Sequence, residues 1–112
     1  MLIAIAYMES GFNPDAAAGT TSAHGIGQFI NKTGAAYHLN DCNRWSIFMQ
    51  TQALAQHTAE NIASAKSNGL DIWFAYARHH DGSFKNKYKG MDLAKGKFKE
   101  IFLRIVTRLS HD

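Results

Sequence analysis

One carboxylate occupies a position where the sequence predicts an apolar helix face. Residues 2–12 have the composition of a helix. On a helix with 3.6 residues per turn, Glu9 shares its face with four apolar side chains: Leu2, Ile5, Met8 and Phe12. Burial disfavours an ionised carboxylate, so this face favours the protonated form of Glu9. A carboxylic acid that is protonated near neutral pH can give its proton to a leaving oxygen, which is general acid catalysis. The alternative is a structural glutamate that pairs with an arginine or a backbone amide.

The adjacent residues His79, His80 and Asp81 form a second group of titratable side chains. Neighbouring residues rarely reach one metal ion together, and no further ligand follows at the spacing of a zinc site. We therefore predict no metal and no cofactor. Cys42 is the single cysteine, which excludes an intramolecular disulfide and a cysteine-based metal site.

The composition is that of one folded domain. The chain has 112 residues, of which 46% are hydrophobic and 19% charged, and this excludes a disordered chain. A net charge of +3 is too small to indicate a nucleic-acid partner. Six lysines between residues 85 and 99 are interleaved with aromatic residues. They form either a solvated face or, with Arg104 and Arg108, a surface attracted to an anionic cell wall or membrane.

The periodicity predicts an all-α bundle around one central helix, with little or no β structure. After the first helix we expect a loop over 15–24 and a short helix over 25–32 that stops near Gly34, with Ser22 as a possible cap. A polar break at 40–43 precedes a long helix over 44–67, whose predicted apolar face is Trp45, Phe48, Met49, Ala55, Ala59, Ile62 and Ala63. Asp71 is expected to cap a short apolar helix over 72–76. A loop over 79–91 and a last helix over 93–109, capped by Asp92, complete the prediction.

Three motifs resemble those of one enzyme family. The first is Glu9-Ser10-Gly11-Phe12-Asn13-Pro14, and the second is Gly25-Ile26-Gly27-Gln28 after a short loop. The third is Tyr76-Ala77-Arg78-His79-His80-Asp81-Gly82. Together, and in this order, they resemble the lytic transglycosylases of the soluble, goose-lysozyme-like superfamily, and the variants present are closest to the bacteriophage branch. The resemblance implies a lysozyme-like helical domain around a central catalytic helix.

The resemblance also implies a substrate and a reaction. These enzymes cleave the β-1,4 bond between N-acetylmuramic acid and N-acetylglucosamine in peptidoglycan. Their glutamate protonates the glycosidic oxygen and then acts as a base, while the C6 hydroxyl of muramic acid attacks the anomeric carbon to form a 1,6-anhydro end. One protein carboxylate is sufficient, unlike in the usual glycosidase scheme with two carboxylates.

Carried over to this sequence, the resemblance makes Glu9 the catalytic acid and base. It implies that Gln28 binds the sugar near the cleaved bond and that Tyr76 orients the glutamate or the sugar. By its position in the motif, His79 is expected to form a hydrogen-bonding wall of the sugar site. Three further residues are expected to contact the substrate, namely Ser10 at the helix end, Ser22 in the loop and Phe29, which follows the glutamine. The loop serine of the cellular enzymes has three competing matches: Thr20, Thr21 and Ser22. Gly27 stands where the family has methionine.

A second carboxylate would activate water and make the chain a hydrolysing muramidase. Glu60 is the candidate, since Gln52, Gln56 and Glu60 lie on one face of the long helix, although a solvated face is the simpler interpretation. The other alternative is an inactive wall-binding module.

Domain organisation and location are expectations at this stage. We expect a single, monomeric domain over 1–112, either minimal or without an upstream helix of the family. The apolar start has no basic leader, is too short to span a bilayer and lacks the layout of a signal peptide. We therefore expect synthesis in the cytoplasm and action on the periplasmic wall, through phage lysis or within a virion.

Overall fold

The structure, a computed structural model, describes residues 1–110 and is helical over 61% of them. The α-helices are α1 (Leu2–Ser10), α2 (Asn31–Ala36), α3 (Ile47–Ser67), α4 (Ala75–Asp81), α5 (Gly90–Leu93) and α6 (Lys99–Ser110). A 3₁₀ turn at Ile72–Phe74 precedes α4, and a π-helical stretch, Ala94–Phe98, joins α5 to α6. Over residues 1–110 the only β pairing is two isolated bridges, Ala17 with His24 and His24 with Phe29. The all-α prediction is confirmed.

The chain divides into two units, with the boundary inside α3. Residues 2–57 form the first unit, and the second begins at Thr58 and includes Met1. No helix within residues 1–110 has both the length and the apolar composition needed to cross a membrane.

In the first unit, α1 ends two residues earlier than predicted. Gly11 and Phe12 have φ angles of 59° and 67°, in the left-handed region, which stops the helix at Ser10. Phe12 therefore leaves the predicted apolar face and is exposed, as is Leu2 at the other end. Ile5 is fully buried, while Glu9 is half-buried, so the prediction that Glu9 lies on an apolar face is only partly correct.

The predicted helix over 25–32 is wrong. Residues 25–28 form a turn instead, because Gly25 and Gln28 have φ angles of 77° and 53°. The short helix of this region is α2, and Gly34 lies within it and does not end it. The loop expected over 15–24 contains no helix, as predicted.

The end of α3 was predicted correctly and its buried face was not. Gly69 has a φ of 70°, and the N–H groups of Gly69 and Leu70 donate to the carbonyls of Lys66 and Ala65, which is a Schellman end. The apolar face expected on this helix is partly exposed: Phe48 is 67% exposed. The residues buried along α3 include four with polar side chains: Gln50, His57, Thr58 and Asn61.

In the second unit, α4 extends into the segment that was predicted as a loop. It ends where Gly82, with a φ of 78°, donates its N–H to the carbonyl of Arg78 at 2.8 Å. The last helical segment begins at Gly90 and not at residue 93. Asn86 caps it in place of Asp92, because its Oδ1 accepts from the N–H groups of Met91 and Asp92.

Candidate active site

Glu9 and Ser10 form the last turn of α1. Glu9 is half-buried. The Ser10 hydroxyl lies 2.8 Å from the carbonyl oxygen of Ile26 and 3.1 Å from that of Ala6. Since a hydroxyl has one proton to donate, the shorter contact links the end of α1 to the turn that contains the second motif. Ser10 thus places Glu9 beside this turn, and its predicted contact with substrate stays a prediction.

Gln28 has a fixed amide orientation. Its Nε2 donates to the carbonyl of Gly25 at 2.9 Å and to that of Ala16 at 3.2 Å. Both N–H bonds are then directed at carbonyl oxygens, which identifies the amide nitrogen and leaves Oε1 as the atom with spare capacity. Gln28 is half-buried, so this arrangement offers a hydrogen-bond acceptor to a ligand.

Gln50 holds the turn in place and was missed by the sequence analysis. It is 1% exposed and makes three hydrogen bonds to backbone groups. Its Oε1 accepts from the N–H of Ile26 at 2.8 Å, and its Nε2 donates to the carbonyls of Pro14 and Arg44, both at 2.9 Å. One side chain therefore joins three parts of the chain: Pro14 after α1, the turn at Ile26 and the segment that precedes α3.

The close approach of Gln50 explains the first glycine of the second motif. A Cβ on Gly25 would lie 2.7 Å from Cδ and Oε1 of Gln50, and the positive φ of Gly25 also disfavours any side chain there. A signal existed in the sequence, namely a polar residue among the apolar residues of a helix. Periodicity alone, however, does not distinguish a buried glutamine from an exposed one.

Ser22 and Phe29 have structural contacts in the first unit. Ser22 is exposed, and its Oγ accepts from the N–H of Asn31, the first residue of α2. It thus caps a helix, but one that begins later than predicted. Phe29 is 3% exposed and packs against the rings of Tyr37 and His57, with centroids 6.2 and 5.3 Å away. The sugar contacts predicted for both residues stay predictions.

The third motif, in the second unit, builds an aromatic stack. Tyr76 is 3% exposed, and its ring stacks on Phe98 with centroids 4.5 Å apart. The His79 ring lies 6.3 Å from Tyr76 and within 19° of parallel. The structure thus brings Tyr76 and His79 together, as their spacing on α4 requires.

Asp81 supports the chain that follows the third motif. Its Oδ2 accepts from the N–H groups of Tyr88 and Gly90, both at 3.0 Å, and its Oδ1 lies 2.6 Å from Nδ1 of His80. Desolvation raises the pKa of Asp81. The hydrogen bonds from His80, Tyr88 and Gly90 outweigh desolvation, so the pKa lies below its ordinary value.

Glu60, the candidate second carboxylate, is exposed on α3 within the second unit. Gln52 and Gln56 on the same helix are exposed as well. Exposure of all three is what a solvated helix face would show.

The family follows from comparison with known proteins. The model of the transglycosylase SLT domain matches residues 1–67, more than half of the chain. The chain therefore belongs to the family of transglycosylase SLT domains. The match includes Glu9, Ser10, Gln28 and Gln50 and stops before Tyr76. No curated protein and no solved structure matches the chain significantly.

Proposed function

We propose that the protein is a peptidoglycan lytic transglycosylase in which Glu9 is both the acid and the base. The observation that carries the proposal is a half-buried glutamate at the end of α1, within the segment that matches the family, tied through Ser10 to the turn of Gln28. The carboxyl end of a helix bears partial negative charge, which adds to burial in disfavouring the ionised form of Glu9.

The proposed reaction has two steps, and its atoms balance. Protonated Glu9 gives its proton to the oxygen between N-acetylmuramic acid and N-acetylglucosamine, and the bond from the anomeric carbon to that oxygen breaks. The carboxylate of Glu9 then takes the proton of the C6 hydroxyl of the muramic acid as that oxygen bonds to the anomeric carbon. Glu9 is protonated again, and no water is consumed.

Two further groups support sugar binding in this proposal. Gln28 presents Oε1 as an acceptor for a sugar hydroxyl or amide N–H, since both protons of its amide are held by the backbone. On α4, His79 is half-buried and lies beside the buried ring of Tyr76. In this proposal His79 contacts the sugar and Tyr76 acts as a positioning residue. We further propose that the chain follows the bacteriophage variant of the family, as its third motif suggests.

The three glutamates of the chain allow a matched test of this function. Glu9→Gln keeps the size of the side chain and removes the acid, so release of soluble muropeptides from purified peptidoglycan should fall by at least ~10²-fold. Glu100→Gln, an exposed residue of α6, is the control and should retain full activity. Unchanged turnover in Glu9→Gln would reject Glu9 as the acid.

Glu60→Gln separates the transglycosylase from the muramidase. If Glu60 activates water, this variant loses activity as Glu9→Gln does. Retained activity in Glu60→Gln, together with anhydro products, supports the mechanism with a single glutamate. An intact wild-type chain that binds peptidoglycan without turnover would instead indicate a binding module.

A further inference from the structure

A cavity in the first unit contains none of the residues proposed for catalysis. Its volume is about 250 Å³, and its wall includes His24, Asn31, Ala35, Leu39, Asn40 and Arg44. Glu9, Ser10 and Gln28 do not line it. Since a water molecule takes about 30 Å³ in the liquid, the cavity has room for a small polar group and part of a sugar ring.

His24, which lines this cavity, has a buried ring nitrogen without a hydrogen-bond partner in the described part of the chain. His24 is 4% exposed, and its Nδ1 lies 3.0 Å from the carbonyl oxygen of Ser22. A carbonyl can only accept, so Nδ1 carries a proton. In the tautomer with this single proton, Nε2 has a lone pair and is an acceptor. Within residues 1–110, this buried Nε2 has no hydrogen-bond partner. A buried polar atom in this state favours a ligand that brings a donor.

Two asparagines add donors, because the oxygen of each amide is already used. Oδ1 of Asn31 accepts from the Arg44 guanidinium at 3.0 Å. Oδ1 of Asn40 accepts from the N–H groups of Cys42 and Asn43. Each side chain therefore offers the cavity its NH₂ group, which can only donate. The guanidinium of Arg44 has further N–H bonds to offer.

Asp41 also lines the cavity, and its exposed carboxylate lies 3.5 Å from the Arg44 guanidinium. The apolar part of the wall is formed by Gly34, Ala35 and Leu39. The cavity thus combines one buried acceptor, an exposed carboxylate, several donors and a surface that fits a methyl group. A secondary amide with a methyl group has the complementary set, namely an N–H for His24, a carbonyl for the asparagines or Arg44, and a methyl for Ala35.

We propose that this cavity binds a secondary amide that bears a methyl group, in the first place the acetamido group of an N-acetylated sugar. The choice of a sugar rests on the proposed function, because both sugars of peptidoglycan are N-acetylated. The alanine residues of the peptide stem offer the same amide chemistry from a second source. The site would hold a glycan strand at a point separate from the bond that is cleaved.

The test is a titration of the ¹⁵N-labelled full chain followed by NMR. N-acetylglucosamine should shift the imidazole resonances of His24 and the amide of Ala35, with a dissociation constant on the order of millimolar for so small a ligand. Glucose, which lacks the acetamido group, should produce no such shifts. D-alanyl-D-alanine distinguishes the two sources: shifts with this dipeptide and not with the sugar assign the site to the peptide stem.

Two neighbouring residues of α2 provide a matched pair of variants. Ala35 lines the cavity and Ala36 does not, and both are exposed. Ala35→Leu fills the space for the methyl group and should weaken binding by about tenfold or more, whereas Ala36→Leu should bind as the wild type does. Thermal unfolding of both variants verifies that they fold.

The proposal is overturned if neither amide ligand shifts His24, if glucose shifts it equally, or if folded Ala35→Leu binds normally. Peptidoglycan turnover is measured separately. Binding without turnover contradicts the proposed function and supports the cavity site. Turnover without binding at the cavity contradicts the cavity site and supports the proposed function. Failure of one proposal is therefore distinguishable from failure of the other.

Discussion

At the scale of single residues, the candidate site depends on side chains that hydrogen-bond to the backbone. Ser10 donates to the carbonyl of Ile26, Gln28 donates to Gly25, and Gln50 accepts from the N–H of Ile26. All three bonds end on the turn of residues 25–28. The position of this turn beside Glu9 is therefore set by polar contacts as much as by apolar packing.

Replacement of Gln50 tests this dependence. Gln50→Leu leaves the N–H of Ile26 and the carbonyls of Pro14 and Arg44 without their partner, and unsatisfied buried groups cost about 1–3 kcal/mol each. We expect a loss of at least ~2 kcal/mol in the free energy of unfolding, measured by urea denaturation. Gln52→Leu, at an exposed position of the same helix, should change this free energy by less than ~0.5 kcal/mol. Equal stabilities would contradict the role given to Gln50.

Asp81 should make stability depend on pH in acid. Its pKa is lowered in the folded state, so its carboxylate contributes stability at pH values above the unfolded pKa. That contribution is lost as the pH falls below about 4 and passes through the folded pKa. Asp81→Asn should therefore flatten the fall in melting temperature between about pH 5 and pH 2 relative to the wild type. Asp92→Asn, at an exposed position, is the control; parallel curves for Asp81→Asn and wild type would refute the prediction.

At the scale of elements, sequence patterns predicted where helices stop better than which faces they bury. Asn68-Gly69 ends α3 as expected, because a glycine in the left-handed region is a local property. The turn at 25–28 was mistaken for a helix because Gln28 adopts a positive φ that is rare outside glycine. The turn is stabilised by a hydrogen bond from the N–H of Ile26 to Gln50, which lies 24 residues further along the sequence.

The sequence predicted the candidate site only in part, as it did the helices. The motifs indicated Glu9, Gln28 and Tyr76 through their resemblance to a family, and the structure adds the hydrogen bonds that orient Gln28. Neither Gln50 nor the cavity at His24 could be found by periodicity. Their roles depend on which residues meet after folding, and a polar residue on a helix is ordinarily an exposed one.

Two glycines of the last helical segment should respond in opposite ways to the same substitution. A Cβ at Gly90 would lie 2.7 Å from Cγ of Asp81 and 2.8 Å from the carbonyl oxygen of Ala77, so Gly90→Ala should destabilise by ~1–3 kcal/mol. A Cβ at Gly96 would meet no atom of residues 1–110 within 4 Å beyond its chain neighbours and its own helix backbone, so Gly96→Ala should be neutral or stabilise by up to ~1 kcal/mol. Thermal unfolding measures both, and a stable Gly90→Ala would contradict the tight contact with Asp81.

At the scale of the whole molecule, the chain has a net charge of +3, and several of its positive charges are exposed. Residues 85, 87, 89, 95 and 97 are all exposed lysines, and Arg104 and Arg108 are exposed on α6. We propose that this basic surface attracts the chain to anionic cell wall. Association through exposed charges is screened by salt, with a Debye length of about 10 Å at 0.1 M.

Binding to intact sacculi should therefore weaken as salt increases. Cosedimentation at low and at high ionic strength measures the effect. Replacing Lys85 and Lys87 by glutamine should reduce both the affinity and its salt dependence, since fewer charges take part. Replacing the exposed Gln52 and Gln56 by alanine changes the polarity of the surface but not its charge. These replacements should therefore change neither the affinity for sacculi nor its salt dependence. Salt-independent binding would exclude an electrostatic contribution.

The most direct test of the central claim is the mass of the products formed from peptidoglycan in water enriched in oxygen-18. A reaction in which Glu9 serves as acid and base, and the C6 hydroxyl attacks, consumes no water. The new muramic acid ends should then be anhydro ends, lighter by one water than hydrated ends and free of the isotope. Reducing ends that carry oxygen-18 would show that water is the nucleophile and would contradict the account.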